Sequence, residues 1–129
     1  MQGDAMPTRE IFQRWLDDYL RPQQQRSAEK IKDLFTADAT YSFGPYFEPR
    51  VGLDAIHEHH RNALSHQEDL KYTWKVLAVT DEYGLAHFHL TLTDSNEGEP
   101  NTYDGMFLVY LNGEGKCTRF EEWWHADTR

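Results

Sequence analysis

The chain has 129 residues, 39% of them hydrophobic and 14% aromatic, enough for one domain with a full core. Its 13 Lys and Arg face 22 Asp and Glu, so the net charge is −9, which argues against the basic surface that nucleic acid or an anionic membrane requires. No apolar run approaches the roughly 20 residues of a bilayer span, no cleavable leader is expected, and the single Cys117 has no partner for an internal disulfide, so the expectation is a cytoplasmic protein.

Residues 1–7 read as a loose start. Thr8 can cap a helix with Glu10 in its first turn. Ile11, Phe12, Trp15, Leu16, Tyr19 and Leu20 follow at helical spacing, and Pro22 is expected to end the stripe. Gln23 to Arg26 is a loop. Ser27 can cap a second helix that buries Ile31, Leu34 and Phe35, with Asp38 at its exit. A short strand runs from Ala39 to Phe43 and breaks at Gly44-Pro45. Gly52 and Asp54 introduce a third helix over about 53–65, with Ile56, Ala63 and Leu64 inward.

The second half has strand character. Lys71 to Thr80 alternates through Tyr72, Trp74, Val76 and Ala78. Asp81 to Gly84 is a hairpin turn, and Leu85 to Thr93 is the next strand. Asp94 to Asn101 is a polar loop, Thr102 to Leu111 a third long strand, Asn112-Gly-Glu-Gly115 a strong turn, and Lys116 to His125 the last strand. Helices followed by a strand meander predict an α+β domain, with helices on one face of a bent antiparallel sheet and a hollow between them. Nothing in residues 1–129 divides the chain into two domains.

The chain carries, in order, the Trp15…Tyr19 helix, Leu34-Phe-Thr-Ala-Asp-Ala39, Gly52-x-x-x-Ile56, Tyr103-Asp-Gly, Asn112-Gly-Glu-Gly-Lys116 and Glu122-Trp-Trp124. In that order these segments resemble a SnoaL-like protein of the nuclear transport factor 2-like (ketosteroid isomerase-like) superfamily. The resemblance implies a cone-shaped fold with three N-terminal helices packed on a bent antiparallel sheet. It also implies a conical pocket and a homodimer through the outer sheet face. In ketosteroid isomerase-like members a tyrosine and two carboxylic acids move the proton. By register their places fall here on Trp15, near Phe43 and near Phe107, so that set is not implied for this chain. Fold alone does not name a reaction.

The candidate catalytic set is His87, His89 and Glu122. Alternation puts the two histidines on one strand face. Matched to the family's register, that face turns to the cavity together with Phe107, Val109, Glu122 and Trp124. A carboxylate beside an imidazole is the elementary acid–base pair. The competing readings are a solvated or dimer face, or a buried pair that only satisfies itself. Asp104 would face out if Phe107 faces in. Two imidazoles and Glu122, or His57 with His60, number enough donors for a metal, but neither follows a recognised ligand motif, so no metal and no cofactor are expected.

Trp15, Tyr19, Tyr41, Phe43, Tyr46, His60, Trp74, Phe107, Val109 and Trp124 are expected to line the pocket, against the alternative of ordinary core. Two functions follow. One is a small-molecule binding protein acting on an apolar or cyclic, polyketide- or steroid-like molecule. Such an enzyme would be a cofactor-free lyase or isomerase in which Glu122 or a histidine moves a proton and Tyr19 or Tyr41 steadies an oxyanion. The other is a non-catalytic dimerisation or binding module with a filled cavity. An open hollow of roughly 300 Å³ or more holding His89 and Glu122 would favour the first.

Overall fold

The computed structural model describes residues 8–127, so the expected loose start at residues 1–7 lies outside the described residues. Helix α1 spans Arg9–Gln24. Thr8 caps it, its hydroxyl accepting from the Ile11 N–H at 3.1 Å. Phe12, Trp15, Leu16, Tyr19 and Leu20 form its buried stripe. Pro22 does not end the helix as expected. The last turn continues past it, and the buried Gln23 amide donates back to the Tyr19 carbonyl at 2.9 Å. Arg26, at φ 59°, then turns the chain.

The second helix is a single turn, α2, Ile31–Leu34. Strand β1 starts at once and runs Phe35–Ser42, so the expected turn at Asp38 lies inside a strand. The Trp15 indole N–H takes the Leu34 carbonyl at 3.0 Å, closing the short turn against α1. Strand β2 is Arg50–Val51, and helix α3 is Leu53–Leu64, burying Ile56, His60 and Leu64. Then come β3 (Gln67–Val79), β4 (Tyr83–Asp94), β5 (Pro100–Leu111) and β6 (Cys117–Ala126).

The six strands form one sheet in the order β2-β1-β6-β5-β4-β3. It is mixed rather than antiparallel, because β6 returns between β5 and β1 and pairs with β1 in parallel. The helices are not all N-terminal to the sheet either, since β1 and β2 precede α3. Breaks in strand pairing accompany the curvature: β1 shifts against β6 between Phe35 and Thr40, and β3 shifts against β4 twice. The second β3 shift, between Val76 and Ala78, leaves Ala78 exposed instead of inward.

Helix α1 lies across β3 and α3 across β1. Between them and the sheet sits a core rich in rings, with Phe12, Phe35, Phe88, Phe107 and Phe120 at most 1% exposed. Each contributes roughly 1.5–3 kcal/mol through burial. Among the described residues, no helix is long and apolar enough to cross a membrane.

Candidate functional site

A cavity of about 210 Å³ opens between α1, α3 and the concave face of the sheet. Each element contributes through its own periodicity. Helix α1 gives Tyr19 and Gln23, one turn apart, and α3 gives His59, His60, Ala63 and Leu64. Strand β1 and the residue after it give Tyr41 and Phe43, β4 gives Phe88, Leu90 and Leu92, and β6 gives Glu122 and Trp124, all by alternation. Tyr72 of β3 and Tyr103 of β5 complete the wall.

Glu122 is opposite Phe107 in the β5–β6 ladder and shares its inward face. Tyr41 donates to Glu122 Oε1 at 3.2 Å. Among the described residues, the second oxygen has no hydrogen-bond partner, and Glu122 lines the cavity. Among the described residues, no lysine or arginine lines it. Burial therefore pushes the Glu122 carboxyl up to about 7, and only the Tyr41 hydrogen bond pulls it down. At neutral pH both its protonated and ionised forms are populated, which is what a group that both takes and returns a proton needs.

His60 sits beside this carboxyl's partner. Its Nδ1 lies 2.8 Å from the Ile56 carbonyl and its Nε2 lies 2.9 Å from the Tyr19 hydroxyl. Burial lowers it to about 4, so the ring is neutral across the physiological range. His59 is also lowered, first by burial and then by Arg50. Burial raises Tyr19, Tyr41 and Tyr72, with the Glu122 charge as the second cause in each. These three hydroxyls therefore keep their protons and act as hydrogen-bonding groups. Those of Tyr19 and Tyr41 are engaged with protein partners. The Tyr72 hydroxyl has none among the described residues.

The mouth is built from rings. Phe43 stacks on Phe47 with centroids 4.8 Å apart and meets the His59 ring, tilted, at 4.5 Å, and the Arg50 guanidinium lies over Phe43. The Trp124 indole donates to the Phe43 carbonyl at 2.7 Å, tying β6 to this loop. Gly44, at φ 155°, lets the loop reverse where a side chain would strike the Phe47 ring.

The expected set therefore divides. Tyr19, Tyr41, Phe43, His60, Glu122 and Trp124 meet at the cavity. His87 and His89 do not. Across the β4–β5 ladder His87 pairs with Met106 and His89 with Asp104, one residue out of step with the inward Phe107. Both are on the outer face, where the Asp104 carboxylate accepts from His87 Nε2 at 2.7 Å and His89 Nδ1 at 3.0 Å. Those two bonds hold Asp104 below the usual carboxylate range, and its outward position follows the alternation.

Trp15 packs beneath the cavity, stacked on Tyr19 at 4.9 Å. Phe107 and Val109 form the buried layer below, Phe107 stacked on Phe88 at 4.2 Å. Trp74 is half-buried with Arg21 over its ring. Tyr46 is 97% exposed because the chain reverses at Gly44-Pro45, and it borders an outer groove with Met106 and Trp123. Tyr72, Tyr103 and Gln67 are cavity residues that sequence reasoning missed. Cys117 is buried, which pushes its thiol up and leaves it a packing group.

A model of the SnoaL-like domain matches residues 13–120 of the sequence. No curated protein matches it. Among solved structures, a presumed isomerase from Bacillus subtilis superposes with a TM-score of 0.80 at 16% identity, over 90% of this chain and 87% of that one. The epoxide hydrolase/cyclase-like enzyme SalBIII, of pyran ring formation in the polyether salinomycin, gives 0.79 at 16% identity over 90% and 92%. A ketosteroid isomerase-like protein from Erwinia carotovora atroseptica SCRI1043 gives 0.69 at 19% identity over 89% and 94%. At these identities the likeness concerns the fold.

Proposed function

The chain belongs to the SnoaL-like family of the nuclear transport factor 2-like superfamily, and from that premise we propose that it binds a small, uncharged cyclic molecule and moves a proton on it without a cofactor. The observation that carries this reading is Glu122: a carboxyl raised to about 7, on the wall of a cavity where, among the described residues, one of its oxygens has no partner and no lysine or arginine lies beside it.

The chemistry is isomerase- or lyase-like. Glu122 as carboxylate takes a proton from a carbon next to a carbonyl. The C–H electron pair moves toward the carbonyl oxygen, and Glu122 returns the proton at a second carbon or to a leaving group. The expected oxyanion donors, Tyr19 and Tyr41, have committed their hydroxyl protons. Tyr72 has not, and it is the group this reading assigns to the developing oxyanion. The expected histidine role falls away with the outward placement of His87 and His89.

Size narrows the ligand. The cavity of about 210 Å³ is below the 300 Å³ or so expected, yet it is not plugged. A benzene ring occupies a cavity of roughly 150 Å³. One or two rings therefore fit, and a four-ring steroid does not. The half-buried carboxyl, with no lysine or arginine among the described lining residues, disfavours anions.

The test uses one- and two-ring ketones. Those that raise the melting temperature are incubated with protein in deuterium oxide, and deuterium entry next to the carbonyl is followed by mass spectrometry. The wild type should accelerate entry and Glu122→Gln should lose it by about 100-fold or more. Failure of every ketone to bind, or equal rates in the two proteins, would remove this function.

The homodimer belongs to the same proposal. Trp123 and Met106 are exposed, 50% and 37%, on the outer sheet face, which supports pairing through that face. Sedimentation should show a dimer for the wild type and a monomer for Trp123→Lys. A monomeric wild type would refute it.

A further inference from the structure

Glu122 and Tyr72 serve the proton transfer, and two more polar side chains of the cavity wall are left over. Among the described residues, neither the Tyr103 hydroxyl nor the Gln67 side-chain amide makes a hydrogen bond, and both residues line the cavity. Strand register places them. Glu122 is opposite Phe107, and Tyr103 lies four residues from Phe107 along β5, on the same face. At about 3.3 Å per residue the two levels are roughly 13 Å apart. Tyr103 pairs with Leu90, and Leu90 pairs on its other side with Tyr72, so the two tyrosines are two strand spacings apart, about 10 Å. Gln67 pairs with Asp94, four residues beyond Leu90 in β4, and so lies at the same end as Tyr103, away from Glu122. Phe88 and Leu90 supply apolar wall between the two ends.

Resting on the proton-transfer role of Glu122 and Tyr72, we propose that Tyr103 and Gln67 form a second polar subsite of the cavity, and that the ligand is a one- or two-ring ketone with a neutral hydroxyl or carbonyl on the edge remote from its reacting carbon. A ligand edge made only of carbon, closed over these groups, would leave a hydroxyl and an amide without partners, which is costly in a half-buried site. An oxygen at that edge accepts from Tyr103, and the Gln67 amide can donate to it or accept from its hydroxyl proton. The apolar stretch between the ends takes the ring itself.

The subsite is held in place and it selects charge. The Tyr103 ring meets Trp124 edge-on, with centroids 5.4 Å apart, which fixes the direction of its hydroxyl. Burial first, then the charges of Glu97 and Asp94, raise Tyr103, so it keeps its proton and donates. The same two acids repel a carboxylate or phosphate at this end, and the second ligand group is therefore neutral.

The test is calorimetric titration of the full chain with two-ring probes, 2-tetralones carrying a hydroxyl at carbon 5, 6 or 7, each against its size-matched methyl twin. At least one hydroxyl compound should bind the wild type about 10-fold more tightly than its twin, the worth of a hydrogen bond. Tyr103→Phe should lose most of that preference and leave the affinity for the methyl twin unchanged, since the ring against Trp124 remains. Gln67→Leu, a second and independent variant, should also reduce the preference. Equal affinities within every pair overturn the proposal. So does a preference that survives in both variants, because the hydroxyl would then be recognised elsewhere. Deuterium entry into the same probes separates this subsite from the proton transfer. A hydroxyl preference with no exchange above that of Glu122→Gln keeps the subsite and removes the proton-carrier reading. Exchange without a hydroxyl preference does the reverse, and failure of every tetralone to bind removes both.

Discussion

Replacing Glu122 by Gln should change how stability depends on pH, in a direction that can be worked out. The Glu122 carboxyl is raised to about 7 in the fold from an ordinary 4.5. Between those values the unfolded chain has released a proton that the folded chain keeps. The contribution of this one carboxyl to wild-type stability therefore falls as pH rises, by ~1.4 kcal/mol per unit. The contribution is full below the unfolded value and gone above the folded one, about 3 kcal/mol in total. Gln cannot titrate. The stability of Glu122→Gln minus that of the wild type should be constant below pH 4.5, climb by about 3 kcal/mol and level off above pH 7.

The difference matters because wild type alone would mislead. His60 falls from 6.5 to about 4 on folding, which gives the opposite slope. Between about 4.5 and 6.5 the two slopes oppose and nearly cancel. Urea unfolding of both proteins at pH 4, 5, 6, 7 and 8 supplies the curve. Any fixed cost of placing an amide there shifts it without bending it. A difference that is flat with pH would refute the argument that burial raises this carboxyl.

Three further outcomes follow from the geometry. Tyr41→Phe removes the one hydrogen bond that lowers Glu122. Its NMR midpoint should rise further, with a stability loss of about 1 kcal/mol at pH 8. His87→Ala with His89→Ala should leave the Glu122 midpoint and ketone binding unchanged while Asp104 returns toward an ordinary carboxylate. Altered binding would contradict their outward placement. Gly105→Ala would drive its new methyl group into the Trp123 carbonyl, where β5 and β6 approach closely. Thermal unfolding should show a loss of about 1–3 kcal/mol, and a neutral result would contradict that close approach.

Local signals carried much of this structure. The α1 stripe, the Asn112–Gly115 turn and the alternation of β6 were all readable, and they set Glu122 and Trp124 on one face. What failed was the phase between strands. Leu85, His87, His89 and Thr91 alternate against Ala86, Phe88, Leu90 and Leu92, and the second set is the more apolar. That contrast marked the inward face of β4, and it outweighs a family register drawn from weak matches. Pro22 misled because a proline removes one helical hydrogen bond, while the buried Gln23 and the turn at Arg26 hold the final turn together. The second helix shrank because Phe35 to Tyr41 find strand partners in β6, a pairing some 80 residues away that no local window contains. Tyr72 and Tyr103 were missed for the same reason: which tyrosines surround Glu122 depends on sheet order.

The central claim is that Glu122 holds its proton to near neutral pH within the cavity. A wild-type 13C titration of that one carboxyl reads it directly. The account expects a single step near 7. A step at the ordinary 4.5 would contradict it, because a carboxyl that ionises so readily is solvated or paired with a cation, and neither belongs to the site described.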